Sequence, residues 1–195
     1  ILYEPLSLAD WDILKGKFYQ YQFVSIVNRN SEPSNAQLVG RETSAFLADI
    51  NVQFVKMLDE RVGSPKAVEI YQGMMRDDRL LEIVEFPFSK FVVDPELRKR
   101  GGKLVHQQCI VNSFGKDDKY FAVSKDVSNG APDGFALHSY NGDVCLIELI
   151  AVSKNKKKLG IGTKLFMAIE SAARHRGCTK IRVGTQVRNI SAMNF

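Results

Sequence analysis

The stretch from Val144 to Thr163 combines an apolar strand, a lysine-rich turn and the beginning of a helix. Residues 144–152 are mostly β-branched and apolar around a single carboxylate, so they are predicted to form a strand buried on both faces. A Gly-Ile-Gly turn at 160–162 follows, and apolar residues then recur at helical spacing as far as Ala173. A strand, a glycine turn and a helix N-terminus in this order direct several backbone N–H groups into one small volume. The pattern therefore predicts a site for a phosphate-bearing cofactor.

The two glycines of this turn carry a steric argument. A side chain at Gly160 or Gly162 would keep a diphosphate away from the backbone amides. The amides expected to bind it are those of Leu159, Gly160, Ile161, Gly162 and Thr163. The spacing is neither that of a Walker motif nor that of the three-glycine dinucleotide fingerprint. Taken alone, a Gly-x-Gly pair fits a plain strand-to-helix turn equally well.

Residues further along the chain extend the pattern. Ile181 to Val187 alternates as a strand, and Asn189 opens another helix. With the strand IELIAV, the loop KKKLGIG and the spacing Asn189-x-x-Ala192-x-x-Phe195, this part of the chain resembles the GNAT superfamily of acetyl-CoA-dependent N-acetyltransferases. The resemblance implies an α+β fold, that is, an α/β mixed sheet of the GNAT acyl-CoA N-acyltransferase type, with a small N-terminal α/β subdomain.

Two further segments are similar to one branch of that superfamily. Ser89-x-Phe91-x-x-Asp94-Pro95 and the segment RVGTQVRN at 182–189 resemble the branch that contains dTDP-fucosamine acetyltransferase. This resemblance implies an acceptor amine on a nucleotide-linked amino sugar. In the family, a tyrosine that protonates the departing thiolate normally follows the asparagine motif, and it would lie beyond Phe195. We therefore expect a C-terminally truncated form that lacks this acid.

The resemblance also implies where the cofactor, acetyl-CoA, binds. Coenzyme A would enter between two splayed parallel strands, and the backbone amides of one of them would bind pantetheine and polarise the acetyl carbonyl. These amides belong to Leu149, Ile150, Ala151 and Val152. Lys157, which stands where the family usually has Gln or Arg, and its neighbours Lys156 and Lys158 would meet the phosphates. Asn189 would lie beside the thiol and orient the cofactor.

Glu148 is the candidate general base. An attacking amine must lose a proton, and a carboxylate inside an apolar strand has its pKa raised by desolvation. The alternative is that Glu148 is paired with a cation at the surface of the sheet.

The predicted reaction is direct transfer of an acetyl group to a small-molecule primary amine in a ternary complex. Two alternatives remain open, a peptide or protein N-acetyltransferase and a non-catalytic acyl-CoA-binding module. A pocket that accepts a diphosphate-linked sugar would argue against the first alternative, which needs a long open groove.

Composition limits the other partners. The chain has a net charge of +5, and its positive charge is concentrated at Arg98–Lys103 and Lys154–Lys158. No aromatic platform is interleaved with either cluster, so nucleic acid is not the expected partner. The cysteines and histidines are scattered, which predicts no metal site. No run of about 18 apolar residues and no signal peptide is visible, so we expect a cytoplasmic protein with no membrane partner. Exposed sheet edges make a homodimer conceivable.

The turn-forming sequence Gly63-Ser64-Pro65 predicts a domain boundary. Residues 1–64 would form the N-terminal subdomain, and residues 65–195 would form the GNAT-like acetyltransferase domain, with its C-terminal strands missing. Within the first part, strands are predicted over 18–27 and 52–57 and a helix over 41–50.

Overall fold

A computed structural model describes residues 1–58 and 67–195. The chain divides into two compact units, Ile1–Leu47 and Ala48–Phe195. The boundary predicted at Gly63-Ser64-Pro65 lies outside the described residues, and the division into residues 1–64 and 65–195 stays a prediction.

The first unit is helical. It contains α1 (Leu8–Phe18), a 3-10 turn (Arg29–Ser31) and α2 (Pro33–Glu42). The hydroxyl of Ser7 caps α1 by accepting a hydrogen bond from the backbone N–H of Asp10 at 3.1 Å. The strand predicted over 18–27 is wrong, because Phe18 ends α1 and residues 19–27 form a turn and irregular structure, in which the carbonyl of Val27 accepts a hydrogen bond from the N–H of Leu2 at 2.8 Å. The helix predicted over 41–50 is also wrong, since proline starts this helix earlier in the chain.

The second unit is built on a mixed sheet of six strands in the order β1-β6-β5-β4-β3-β2, which confirms the predicted fold class. The strands are β1 (Asn51–Met57), β2 (Val68–Gln72), β3 (Tyr120–Lys125), β4 (Pro132–Asn141), β5 (Val144–Val152) and β6 (Lys180–Gln186). The helices are α3 (Arg79–Ile83), α4 (Lys90–Val93), α5 (Pro95–Lys99), α6 (Val105–Val111), α7 (Ile161–His175) and α8 (Ile190–Met193), with 3-10 turns at Gly102–Leu104 and Lys154–Lys156. β5 and β6 run parallel, and the other neighbouring strands run antiparallel.

Helices cover both faces of this sheet. On one face, Ala122 of β3 and Ala136 of β4 pack in a cluster with Leu165 and Ile169 of α7. The opposite face packs on α3 and α6 through Leu80, Ile110, Phe121, Phe135 and Leu137. Successive residues of a strand point to opposite faces, so the small alanines leave room for the long helix while the phenylalanines fill the other core.

β5 contains a β-bulge at Glu148. Leu137 of β4 pairs with Leu149, and the next residue, His138, pairs with Ile147, so Glu148 has no cross-strand partner. Leu146 is 37% exposed and Glu148 is exposed, so the expectation that this strand is buried on both faces is wrong. Leu146 and Glu148 do not belong to the core next to α3 and α6, because that core is built on β3, β4 and the later residues of β5.

His138 is completely buried among aromatic side chains. Its Nε2 lies 3.1 Å from the hydroxyl of Tyr140, and its ring lies 5.6 Å from that of Tyr120. The guanidinium of Arg176 lies over both tyrosine rings. Burial, and then the positive charge of Arg176, lower the pKa of His138 from the ordinary 6.5 to about 4.

We expect the free energy of unfolding to decrease as the pH falls from 6.5 towards 4. The folded chain keeps His138 neutral while the unfolded chain binds a proton, so the contribution is complete above the unfolded pKa and is lost as the pH falls through the folded pKa. Urea unfolding at pH 7 and pH 4.5 should show a loss of about 2–3 kcal/mol that His138→Leu largely removes. His175→Leu, which changes an exposed histidine, should keep the wild-type dependence. An unchanged pH dependence in His138→Leu would contradict the assignment.

Candidate functional site

A cleft opens where β5 and β6 separate. Their parallel pairing begins at Val144 with Lys180 and ends at Ile147 with Val183. Beyond this point the two strands diverge and enclose a cleft of about 170 Å³. Side chains from α6, α7 and the region of α8 also line it, including those of His106, Phe166, Asn189 and Phe195. The separation of two parallel strands, expected from the family resemblance, is therefore present.

The edge of β5 that faces this cleft carries backbone groups without a strand partner. β4 pairs with the opposite edge as far as Val152, whereas pairing with β6 stops at Ile147 within the described part of the chain. Leu149 and Ile150 line the cleft, and Ala151 and Val152 continue the same edge. Because successive residues of a strand direct their N–H and C=O groups to opposite edges, alternate residues among the four predicted to bind pantetheine present these groups to the unpaired edge.

The turn before α7 is open. Gly160 precedes the helix with φ of +75°, a left-handed conformation that favours glycine, and no side chain caps the helix. Among the described residues, the N–H groups of Gly160, Ile161, Gly162 and Thr163 have no hydrogen-bond acceptor. A Cβ atom at Gly160 would meet nothing within 4 Å, and the side chain of Leu159 is 62% exposed. The bend is therefore open at Leu159 and Gly160.

Gly162 has a different steric role. A Cβ atom there would lie 3.1 Å from Cε2 of Phe195, so the aromatic ring packs directly on the glycine. The same ring makes an edge contact with Phe166, with 6.3 Å between ring centroids. Phe195 also lines the cleft, and it thereby connects the cleft to the first turn of α7.

The lysines of the preceding loop differ in their availability. Nζ of Lys156 lies 2.6 Å from a carboxylate oxygen of Asp126, and this ammonium, together with the Ser128 hydroxyl, holds the pKa of Asp126 far below its usual range. Nζ of Lys157 is 3.9 Å from Glu85. Lys158, with φ of +65°, forms no ion pair within the described residues. Lys158 is therefore the candidate most available to an anionic ligand.

Glu148 is held by two donors. Lys119 Nζ lies 2.6 Å from Oε1 of Glu148, and the hydroxyl of Ser139 donates to the same oxygen. Oε2 has no partner among residues 1–58 and 67–195. The ion pair that the sequence left open as an alternative is therefore present, and one carboxylate oxygen is still available to a cation in the cleft.

His106 lies in the first turn of α6 and lines the cleft with Glu148, although no sequence pattern predicted it as a site residue. Its ring packs against Phe86, with 4.5 Å between ring centroids, and against Phe91 at 6.1 Å. Nε2 is buried and has no hydrogen-bond partner among the described residues. Burial lowers the pKa of this imidazole below its ordinary value. No short motif surrounds it, so only the tertiary structure identifies it.

Asn189 connects β6 to α8. Its Oδ1 accepts a hydrogen bond from the backbone N–H of Ala192, and its Nδ2 donates to the hydroxyl of Thr185, both at 3.3 Å. The side chain thus caps α8 at the wall of the cleft.

Among residues 1–58 and 67–195, no group of three or more His, Cys, Asp and Glu side chains is placed to hold a metal ion. Within the same ranges, no helix has the length and apolar character needed to cross a membrane.

Residues 102–195 match the model of the acetyltransferase (GNAT) family. A tandem GNAT protein from the clavulanic acid biosynthesis pathway, solved without AcCoA, is 15% identical, with a TM-score of 0.52 over 88% of this chain and 56% of that chain. A GCN5-related N-acetyltransferase from Sphaerobacter thermophilus is 13% identical, with a TM-score of 0.51, and the match covers 82% of this chain and 49% of that chain. A Bacillus anthracis str. Ames protein solved in complex with acetyl coenzyme A is 25% identical, with a TM-score of 0.38, and the match covers 41% of this chain and 45% of that chain. No curated protein matches the chain significantly.

The chain has the GNAT acyltransferase fold, and its residues 102–195 are similar to the GNAT family. It spans about half of the length of the solved structures described above.

Replacing Asn189 with alanine should lower the free energy of unfolding by about 1 kcal/mol, because α8 loses its cap and Thr185 loses a donor. Urea unfolding of the variant and the wild type measures this difference. Asn194→Ala provides a control at the exposed end of the same helix, where we expect a change below about 0.5 kcal/mol. Equal losses in the two variants would show that Asn189 is not a cap.

Proposed function

We propose that this protein is an acetyl-CoA-dependent N-acetyltransferase that transfers an acetyl group to a primary amine. The observation that carries the proposal is the end of the β5–β6 pairing at Ile147, which opens a cleft beside the unpaired N–H groups of the turn before α7. An unpaired strand edge and a helix N-terminus together suit a ligand with an amide-containing arm and a diphosphate.

The residues present fit acetyl-CoA, which when bound supplies an activated thioester. The N–H groups of Gly160 to Thr163 would bind the diphosphate, because the open space at Gly160 allows close approach to the backbone. Lys158 would add a positive charge beside them, with Lys157 next to it. Backbone groups of Leu149 to Val152 would bind pantetheine.

The same strand edge would assist the transfer. An N–H group of β5 that donates to the acetyl carbonyl oxygen stabilises negative charge as it develops there, and one such donor contributes about 3 kcal/mol. A backbone donor is held in place by the sheet, so it needs no rearrangement during the reaction. Asn189 would keep α8 against the cofactor through its cap.

We propose that the acceptor is a small, positively charged amine. Glu148 is the charged side chain that lines the cleft, and no lysine or arginine lines it within the described residues. A carboxylate attracts an ammonium ion, whereas a diphosphate-linked sugar would require cations at the same place. A nucleotide-linked amino sugar, the acceptor of the dTDP-fucosamine branch, is the finer alternative, and a peptide amine is another.

Gly160→Val should raise the dissociation constant for acetyl-CoA at least tenfold, because a branched side chain would block the N–H groups that bind the diphosphate. Isothermal titration calorimetry measures this constant. Gly177→Val is a matched control at the other end of α7, since Gly177 has φ of +79° and equally open surroundings. Both variants carry similar backbone strain, so only the first should lose affinity. Retained affinity in Gly160→Val would refute the proposed cofactor site.

Release of coenzyme A thiol in the presence of acetyl-CoA should depend on a small primary amine. A thiol reagent follows the reaction with small amines, a nucleotide-linked amino sugar and a peptide with a free N-terminus in parallel. Preference for the nucleotide-linked sugar or the peptide would overturn the acceptor assignment. Binding of acetyl-CoA without turnover of any amine would instead favour an acyl-CoA-binding module.

A further inference from the structure

We propose that His106 accepts the proton that the acceptor amine must lose, while Glu148 binds that amine. The proposal rests on the proposed N-acetyltransferase function and deepens it by assigning the proton transfer. It assigns to His106 the role of general base that the sequence predicted for Glu148.

The side chains of His106 and Glu148 lie at the same cleft. His106 comes from the beginning of α6, Glu148 comes from the bulge of β5, and both line the cleft that runs along the unpaired edge of β5. A bulge re-aims a side chain away from the regular alternation of a strand. The acceptor amine and the acetyl group would therefore meet beside an imidazole and a carboxylate.

One ring nitrogen of His106 is unsatisfied within the described residues. Nε2 is buried without a hydrogen-bond partner in the described part of the chain. Buried polar atoms are nearly always paired, because leaving one unpaired costs free energy. The contacts with Phe86 and Phe91 keep the ring in place. A ligand that places an N–H group or a water molecule at this nitrogen would satisfy it.

The surroundings of His106 determine its charge. Glu148 is the other titratable side chain among the residues that line the cleft, and Lys119 is paired with it. Phe86 and Phe91 present no charge to the imidazole. Because burial lowers the pKa of His106, the imidazole is neutral at neutral pH, and the same burial favours the release of a proton that Nε2 has accepted.

Glu148 is suited to binding for a different reason. Its Oε1 already accepts hydrogen bonds from Lys119 and Ser139, which fix the carboxylate, and its Oε2 is available. An ammonium ion bound at Oε2 would form a charge-assisted hydrogen bond. The carboxylate would thus hold the amine while the imidazole removes the proton.

The proposed step is balanced. The acceptor ammonium gives one proton to Nε2 of His106, directly or through one water molecule, and becomes a neutral amine. The amine nitrogen forms a bond to the acetyl carbonyl carbon, the bond from that carbon to the coenzyme sulfur breaks, and a second proton of the nitrogen goes to the sulfur. His106 then returns its proton to solvent.

His106→Gln tests the role of the imidazole. An amide cannot accept the proton, so kcat should fall by about 10²- to 10⁴-fold. The dissociation constant for acetyl-CoA and the KM for the amine should change less than about threefold, because binding is assigned to other groups. His175→Gln, at an exposed position of α7, is the matched control and should keep the wild-type kcat.

Two further measurements keep the proposal falsifiable if His106→Gln does not fold. His106→Ala should regain activity when imidazole is added, and Glu148→Gln should raise the KM for the amine more than it lowers kcat. Unchanged kcat in a folded His106 variant, or no rescue by imidazole, would overturn the proposal. A wild-type protein that does not bind acetyl-CoA would refute the proposed function itself, which is a separate outcome.

Discussion

The short pairing between β5 and β6 is the constraint on which the site depends. Four residue pairs join the strands, and the pairing ends one residue before the bulge at Glu148. A bulge bends its strand and increases the local twist, so the two strands diverge there. Packing of Leu165 and Ile169 against the sheet holds α7 next to the opening. The cleft is therefore a product of the hydrogen bonding of the sheet.

Opposite charges occupy the two regions of the site. The turn before α7 presents N–H groups and the ammonium of Lys158, whereas the cleft presents the carboxylate of Glu148. An anionic cofactor and a cationic acceptor would thus be attracted to different places and would meet in a defined orientation. Phe195 lies between these regions, where it contacts Gly162 and lines the cleft.

The sequence predicted the features that depend on local patterns. Strand alternation and helical periodicity identified β5, α7 and β6, and the requirement for glycine at residue 160 agrees with its left-handed conformation. Features that depend on distant residues were beyond such patterns. Lys119 is 29 residues from Glu148, and His106 reaches the cleft through the packing of α6. The prediction of a strand at 18–27 was wrong because it rested on composition alone. A stretch of this composition forms a strand only where a neighbouring strand pairs with it.

The bulge also changes how β5 can vary. Ile147 packs in the core next to α7 and Leu149 packs in the core on the opposite face, although two residues separated by two positions normally share a face. The extra residue between them shifts the phase of the alternation, and every later position of the strand depends on that shift. Evolution can therefore exchange the side chain at 148 more easily than it can delete the residue. A sequence alignment that places a gap there would assign the following residues to the wrong layer of the protein.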